Sequence, residues 1–347
     1  MAKKVYVGMS GGVDSSVTAA LLKQQGYDVT GVYMKNWSQD LPGLVCPWKE
    51  DYQDAKRVAV ELGIPFKMYD FEKEYRHKVV DYMVEGYKAG ITPNPDVMCN
   101  QEVKFKLFLD TALEDGADLI ATGHYSITKN GKLYMAKDKN KDQSYFLYRV
   151  SEDALKHSLM PVGELTKPEV RELAKKLGLA TADKKDSQGI CFVGKVGIKD
   201  FLLHELGSQP PGLIIDQHGR EVGEHDGALF YTIGQRHGLS VGGGLPYYVV
   251  GKDMAKNEVY VTTDLQDERL WNKDLQLTSL HWINELPKAK QTYQVRTRYR
   301  GPLVNCTLSI RGHKAIVDLA EELRAITPGQ SAVIYEGDRV LGGGIVS

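Results

Sequence analysis

Long apolar runs are missing from this 347-residue chain, and with them any transmembrane helix, because no segment approaches the roughly 20 apolar residues that a bilayer demands. The N-terminus turns polar at Ser10, too soon for a secretory signal, so the expected location is cytoplasmic. An excess of charge is missing too: 44 basic against 45 acidic residues leave a formal net charge of −1. Any nucleic-acid partner must then be held by local basic clusters and not by the field of the whole molecule. Cysteine is scarce. Cys46, Cys99, Cys191 and Cys306 are all there are, and none belongs to a C-x-x-C pair. That argues against a zinc ribbon and, in a reducing compartment, against a disulfide framework. Repeats and low-complexity tracts are absent.

What is present is a change of texture along a chain long enough for two or three domains. Strand-like segments at 4–9, 29–34, 66–71 and 118–123 are separated by helical segments at 15–25, 50–62, 74–88 and 102–115. This alternation predicts an α/β domain, a parallel sheet with helices on both faces, which binds ligands beyond the carboxyl ends of its strands. Asn130-Gly131 reads as a hairpin turn, and Thr166-Lys167-Pro168-Glu169 as a capping box opening a further helix. The helix at 198–206 is read as the last element of this domain. After the linker-like run 207–212, helical periodicity fades and short Gly-punctuated β stretches follow. The division is a catalytic domain at 1–206, a small β-rich domain at 207–272 and a C-terminal β-barrel at 273–347.

The sharpest feature is Ser10-Gly11-Gly12-Val13-Asp14-Ser15-Ser16, between the first strand, which ends in Gly8 and Met9, and the first helix. Paired glycines let the backbone approach an anion, and the N–H groups of the loop and helix start point at it. The lysine of a Walker loop is missing, which suits the holding of a pyrophosphate leaving group. Asp14 would repel a phosphate unless a cation stands between them, and so implies Mg²⁺. The heptapeptide resembles the signature of the PP-loop ATP pyrophosphatases. That resemblance implies cleavage of ATP between its α and β phosphates, with Met34 near the adenine and Gly123 near the ribose or phosphates.

Three further segments bear on the substrate. In Asn94-Pro95-Asp96-Val97-Met98-Cys99-Asn100, prolines stiffen an extended stretch that delivers Asp96 and Cys99 to the start of the helix read at 102. A thiol near a helix N-terminus has a lowered pKa. Asp96 is either a general acid or base or a solvated cap. Cys191, in a Gly-containing loop behind Lys184-Lys185, is either a thiolate in an electropositive setting or a buried structural cysteine. Lys141-Asp142-Gln143-Ser144-Tyr145-Phe146-Leu147 suits a nucleic-acid backbone contact with stacking, or is an amphipathic turn.

Taken together, S-G-G-V-D-S-S at 10–16, N-P-D-V-x-C-N at 94–100, A-T-G-H-Y at 121–125, K-D-Q-S-Y-F-L at 141–147, D-S-Q-G-I-C-F at 186–192 and F-Y-T-I-G-Q-R-x-G-L at 230–239 resemble the bacterial tRNA-uridine 2-sulfurtransferases. The resemblance runs from Gly8 almost to the C-terminus. It implies ATP-dependent 2-thiolation of the wobble uridine in tRNAs for Lys, Glu and Gln. It also implies that Asn94, Pro95 and Asp96 meet the target base, that Cys99 is the nucleophile and that Cys191 carries a persulfide. The sulfur would come from a cysteine desulfurase or sulfur carrier protein. His124, Lys141, Asp142, Gln143, Arg298, Tyr299 and Gln330 would contact the tRNA anticodon stem-loop. The first two of the C-terminal three lie in 288–300, a stretch with five basic residues and no acidic one. An iron–sulfur cluster on Asp96, Cys99 and Cys191 is the alternative within the family. Cys46 and Cys306 are read as ordinary structural cysteines. A small-molecule amide or amidine ligase, or a non-catalytic RNA-binding module, would leave the two thiols or the phosphate loop without a use.

Overall fold

A computed structural model describes residues 2–41, 45–185, 197–239, 241–242 and 244–347. The motif at 186–192, with Cys191, lies outside the described residues. The first sheet contains β1 (Lys4–Gly8), β2 (Asp28–Lys35), β3 (Phe66–Asp70) and β4 (Leu119–Ala121), with the apolar runs in β1, β2 and β4. After them come the hairpin strands β5 (Ser126–Lys129) and β6 (Lys132–Met135), and the two-residue β7 (Ser158–Leu159), too short to leave a periodic signal. The sheet is parallel with strand order β3-β2-β1-β4-β7. Val5, Tyr6 and Val7 are buried, as expected of a central strand covered on both faces.

Helix α1 (Val13–Gln24) follows β1 and α2 (Trp48–Glu61) follows β2. The helix predicted to begin at Glu102 begins seven residues earlier, at Pro95, and runs over 95–114. Pro95 has no N–H to lose at the first helical position, and Asn94 Oδ1 accepts from Val97 N at 3.4 Å as its N-cap. Cys99 therefore stands inside the helix, at the head of a π-helical stretch, Cys99–Leu107. Such stretches recur at functional sites.

The second sheet holds β8 (Gly212–Ile215), β9 (Glu221–His225), β10 (Tyr248–Asp253) and β11 (Glu258–Thr262), in the order β10-β11-β8-β9. The third contains β12 (Trp271–Trp282), β13 (Tyr293–Arg296), β14 (Val304–Arg311), β15 (Lys314–Arg324), β16 (Ser331–Glu336) and β17 (Arg339–Val346). Because β12 pairs with both β15 and β17, these six strands close into a barrel. In β14 and β15 buried and exposed residues alternate, the inside and outside of the wall. The boundary drawn after Asn272 falls two residues into β12.

The Asn130-Gly131 hairpin forms as predicted, with φ of 53° and 74° at its two turn residues. Its pairing partner is not in the first sheet. β6 pairs with β17 (Leu133 opposite Val340, Tyr134 opposite Arg339), so the hairpin extends the barrel sheet. Asp142 and Arg296 form an ion pair at 3.0 Å across this seam, with side chains 0% and 10% exposed. Asp142 also accepts from Ala136 N, Ser144 N and Ser144 Oγ. Arg296→Met strands a buried carboxylate, and should lower unfolding free energy by about 3–5 kcal/mol. Urea denaturation checks this, and Asp142→Asn added to it should recover part of the loss. Among the described residues no helix is long and apolar enough to cross a membrane.

Candidate active site

The phosphate loop lies at the carboxyl end of β1, where a parallel sheet receives ligands. Gly12, the N-cap of α1, has no side chain to cover the first-turn N–H groups, which leaves them to an anion. Hydroxyls brace the turn from within: Ser15 Oγ and Ser16 Oγ donate to Gly12 O at 3.1 and 2.8 Å, and Ser10 N donates to Ser15 Oγ at 3.2 Å. Gly11 sits at φ +74° against α2, and a Cβ there would lie 2.4 Å from Asp51 O. Gly123, beyond β4, presses on the start of α1, where a Cβ would lie 2.7 Å from Ser15 N. Met34 lies over Gly8. The loop, Met34 and Gly123 are thus brought together.

Asp14 has a cation already. Lys167 Nζ contacts its two carboxylate oxygens at 2.7 and 2.8 Å, and Tyr125 OH donates to it at 2.8 Å. The neutralising charge beside Asp14 in this structure is therefore a buried lysine. Among the described residues no group of three His, Cys, Asp or Glu side chains is placed to hold a metal ion; Cys191, third member of the cluster alternative, lies outside them. Lys184 is likewise engaged, by Asp51 at 2.8 Å and Asp54 at 2.6 Å. It ties residue 184 to α2.

Helix 95–114 joins the two halves of the site. Phe108 touches the Cβ position of Gly8 at 3.5 Å, and Phe105 packs on His124 with ring centres 5.6 Å apart. Nine residues before Phe108, toward the other end of the helix, stands Cys99, buried, with Asn94, Pro95 and Asp96 beyond it. Burial pushes the Asp96 carboxyl up from its ordinary range, against an opposing pull from Lys104. Lys104, which sequence reasoning passed over, acts on His124 as well. One basic residue in K-F-K-L carries no local mark of facing a site.

The RNA-contact residues read from the sequence divide. His124 is buried and its Nδ1 lies 2.8 Å from Thr122 Oγ1. Burial, with Lys104 adding to it, holds its imidazole well below the usual range, so it offers no cation to a phosphate at neutral pH. Asp142, read as a contact, has its carboxylate enclosed in the seam and paired with Arg296. Gln143 Oε1 accepts from Tyr125 N at 2.9 Å. The amide of Gln330 is turned inward, donating to Thr92 O at 2.8 Å. Lys141 is half-exposed and Arg298 exposed, and Tyr299 stacks on Phe146 at 4.6 Å. Arg300 Nε donates to Asn140 O at 3.0 Å, joining the 137–141 and 298–300 segments, a contact that neither segment announced. Cys46 is half-buried with its thiol raised chiefly by burial, and in Cys306 burial pushes it up to about 12, in keeping with structural roles.

Three family models cover most of the chain. Residues 3–195 match the tRNA methyl transferase HUP domain, 199–263 the tRNA methyl transferase PRC-barrel domain, and 272–346 the aminomethyltransferase beta-barrel domain. The chain is 48% identical over 354 residues to the tRNA-specific 2-thiouridylase MnmA of Streptococcus sanguinis (strain SK36), covering 99% of this chain and 95% of the relative. To the protein of the same name from Streptococcus pyogenes serotype M49 (strain NZ131) it is 50% identical over 355 residues, with the same coverage. Among solved structures, a 4-thiouridine synthetase in complex with RNA and ATP aligns at 18% identity and a TM-score of 0.40, over 59% of this chain and 50% of that one.

Proposed function

The chain belongs to the family of tRNA-specific 2-thiouridylases, and on that premise we propose that its phosphate loop and Cys99 serve two successive steps on one uracil. The chain is an ATP-dependent sulfurtransferase acting on tRNA. The family models are named for methyl transfer and the relatives for thiolation. A loop without the Walker lysine and a cysteine-bearing helix agree with the second.

In the first step the uracil 2-oxygen attacks the α-phosphate of ATP, and pyrophosphate leaves into the N–H groups at the start of α1. The oxygen, a poor leaving group before, departs afterwards as part of AMP. The base must be flipped from the anticodon stack to reach Asn94–Asp96. Cys191 carries the persulfide, charged by a cysteine desulfurase or sulfur carrier. Cys99 thiolate attacks the inner sulfur, releasing hydrosulfide and leaving a Cys99–Cys191 disulfide; the hydrosulfide then displaces AMP. Direct attack by the persulfide, followed by Cys99 resolving the linkage, gives the same products. Mg²⁺ enters with the ATP phosphates, and no step is assigned to it. Lys141, Arg298 and Tyr299 hold the anticodon stem-loop.

What carries the reading is helix 95–114, which bears on the ATP end through Phe108 and presents Asp96 and Cys99 at its other end. The test is to incubate unmodified tRNA for Glu with ATP, Mg²⁺ and sulfide, and separately with a cysteine desulfurase and cysteine. The product is resolved on a mercury-containing gel, which retards thiolated RNA. A retarded band that needs ATP is the expected result. ATP cleavage to AMP with no retarded band in either arm would favour an amide ligase instead.

A further inference from the structure

We propose that Gln330 of the barrel and Thr232 of the small β domain are positioning residues for the thiolation site, acting through Thr92 on the helix start that carries Asn94, Asp96 and Cys99. The role in catalysis rests on the function proposed above, whereas the contact itself does not.

Three bonds from two other domains converge on Thr92, which is itself buried. Its N–H donates to Pro328 O at 2.9 Å. Its carbonyl accepts from Gln330 Nε2 at 2.8 Å, and the same amide lies 3.3 Å from Pro93 O. Its hydroxyl is 3.0 Å from Thr232 Oγ1, the threonine of the F-Y-T-I-G-Q-R motif for which the reaction has no other use. The fit is close, since a Cβ on Gly329 would stand 2.9 Å from Thr92 N, C and O.

The clamp is anchored at its far side as well. Thr327 Oγ1 donates to Ile233 O at 3.4 Å, and Gly329 N and Gln330 O bond with Val346 at 2.9 and 2.8 Å. Beyond Thr92 the chain has little freedom. Pro93 and Pro95 have fixed φ, and Pro93 packs against Gly86, where a Cβ would lie 2.7 Å from Pro93 Cγ. A displacement at Thr92 is therefore passed to Asn94, the helix N-cap, and not absorbed. Misplacement of reacting groups by about 1 Å costs up to roughly a hundredfold in rate. The two β domains thus set the reacting end of the catalytic domain, in addition to any contact they make with RNA.

The measurements are made on full-length protein: single-turnover thiolation at saturating tRNA, tRNA affinity, and amide hydrogen exchange over 92–99. Gln330→Ala and Thr232→Val should each slow the saturated rate about tenfold, the worth of one buried hydrogen bond. tRNA affinity should stay within about twofold, and exchange at Thr92 should quicken. Thr232→Ser, which keeps the hydroxyl, should recover the rate, and Gln330→Glu, the same size without the donor, should not. Weakened tRNA affinity with an unchanged saturated rate would overturn the proposal and make Gln330 an RNA contact. Unchanged rate and exchange would overturn it too. If the unaltered protein thiolates no tRNA, the family function fails, and the exchange at Thr92 alone decides whether the clamp exists.

Discussion

Cys99→Ser should abolish tRNA thiolation, by roughly three orders of magnitude or more, while ATP binding is retained. Serine matches the size of the thiol but ionises far less readily and cannot attack a persulfide sulfur to leave a disulfide. The phosphate loop lies at the other end of the helix, so ATP affinity measured by titration should stay within about threefold, a change too small to reflect a lost contact. Cys99 is 3% exposed, so a hydroxyl there must find a partner, and far-UV circular dichroism should accompany the assay to confirm the fold. Cys191→Ser should lose thiolation equally when a desulfurase supplies sulfur. Full activity in that variant would remove the persulfide scheme. Cys46→Ala serves as control, since its thiol is half-buried, raised in pKa and bonded to Trp37 O.

Gly123→Ala strikes the opposite end of the site. The added methyl would lie 2.7 Å from Ser15 N, 2.8 Å from Asp14 C and 3.1 Å from Ser15 Cα, all backbone atoms that cannot rotate aside. Either the loop after β4 or the start of α1 must move, and the first-turn N–H groups then lose their aim at the phosphates. ATP affinity should fall on the order of a hundredfold, with release of pyrophosphate falling alongside it. tRNA affinity should fall far less, because glycine has no side chain with which to hold RNA and Lys141 and Arg298 keep theirs. Gly242→Ala, where a Cβ meets nothing within 4 Å, is the matched control and should bind ATP normally. Equal ATP affinity in both variants would show that Gly123 has no part in the site.

Local signals were enough for much of this protein. Alternating apolar strands and helices specify a parallel sheet because each element's periodicity is written in its own residues. The two glycines and serines of the candidate phosphate loop form a contiguous stretch, so the candidate could be picked out without coordinates. The Asn130-Gly131 turn and the Thr166–Glu169 capping box, where Thr166 and Glu169 satisfy each other's backbone, were legible for the same reason.

Proline misled at 93–95. The pair reads as extended chain, yet a proline at the first helical position with Asn94 as cap begins a helix as well as it breaks one, and here it begins one. Asp142 and His124 looked like polar surface residues because burial has no local mark. Their fate depends on Arg296 and Phe105, 154 and 19 residues away. The same holds for the Lys167 ammonium that neutralises Asp14, the pairing of the hairpin with β17, and the meeting of Thr92, Thr232 and Gln330. By itself the sequence determined the α/β class and supplied the candidate phosphate loop and the two candidate thiols, since those properties reside in short segments and their periodicity. Only the tertiary structure decided which charges face each other, which polar groups are enclosed and how three domains bear on one residue, because those depend on side chains that meet only after the chain has folded.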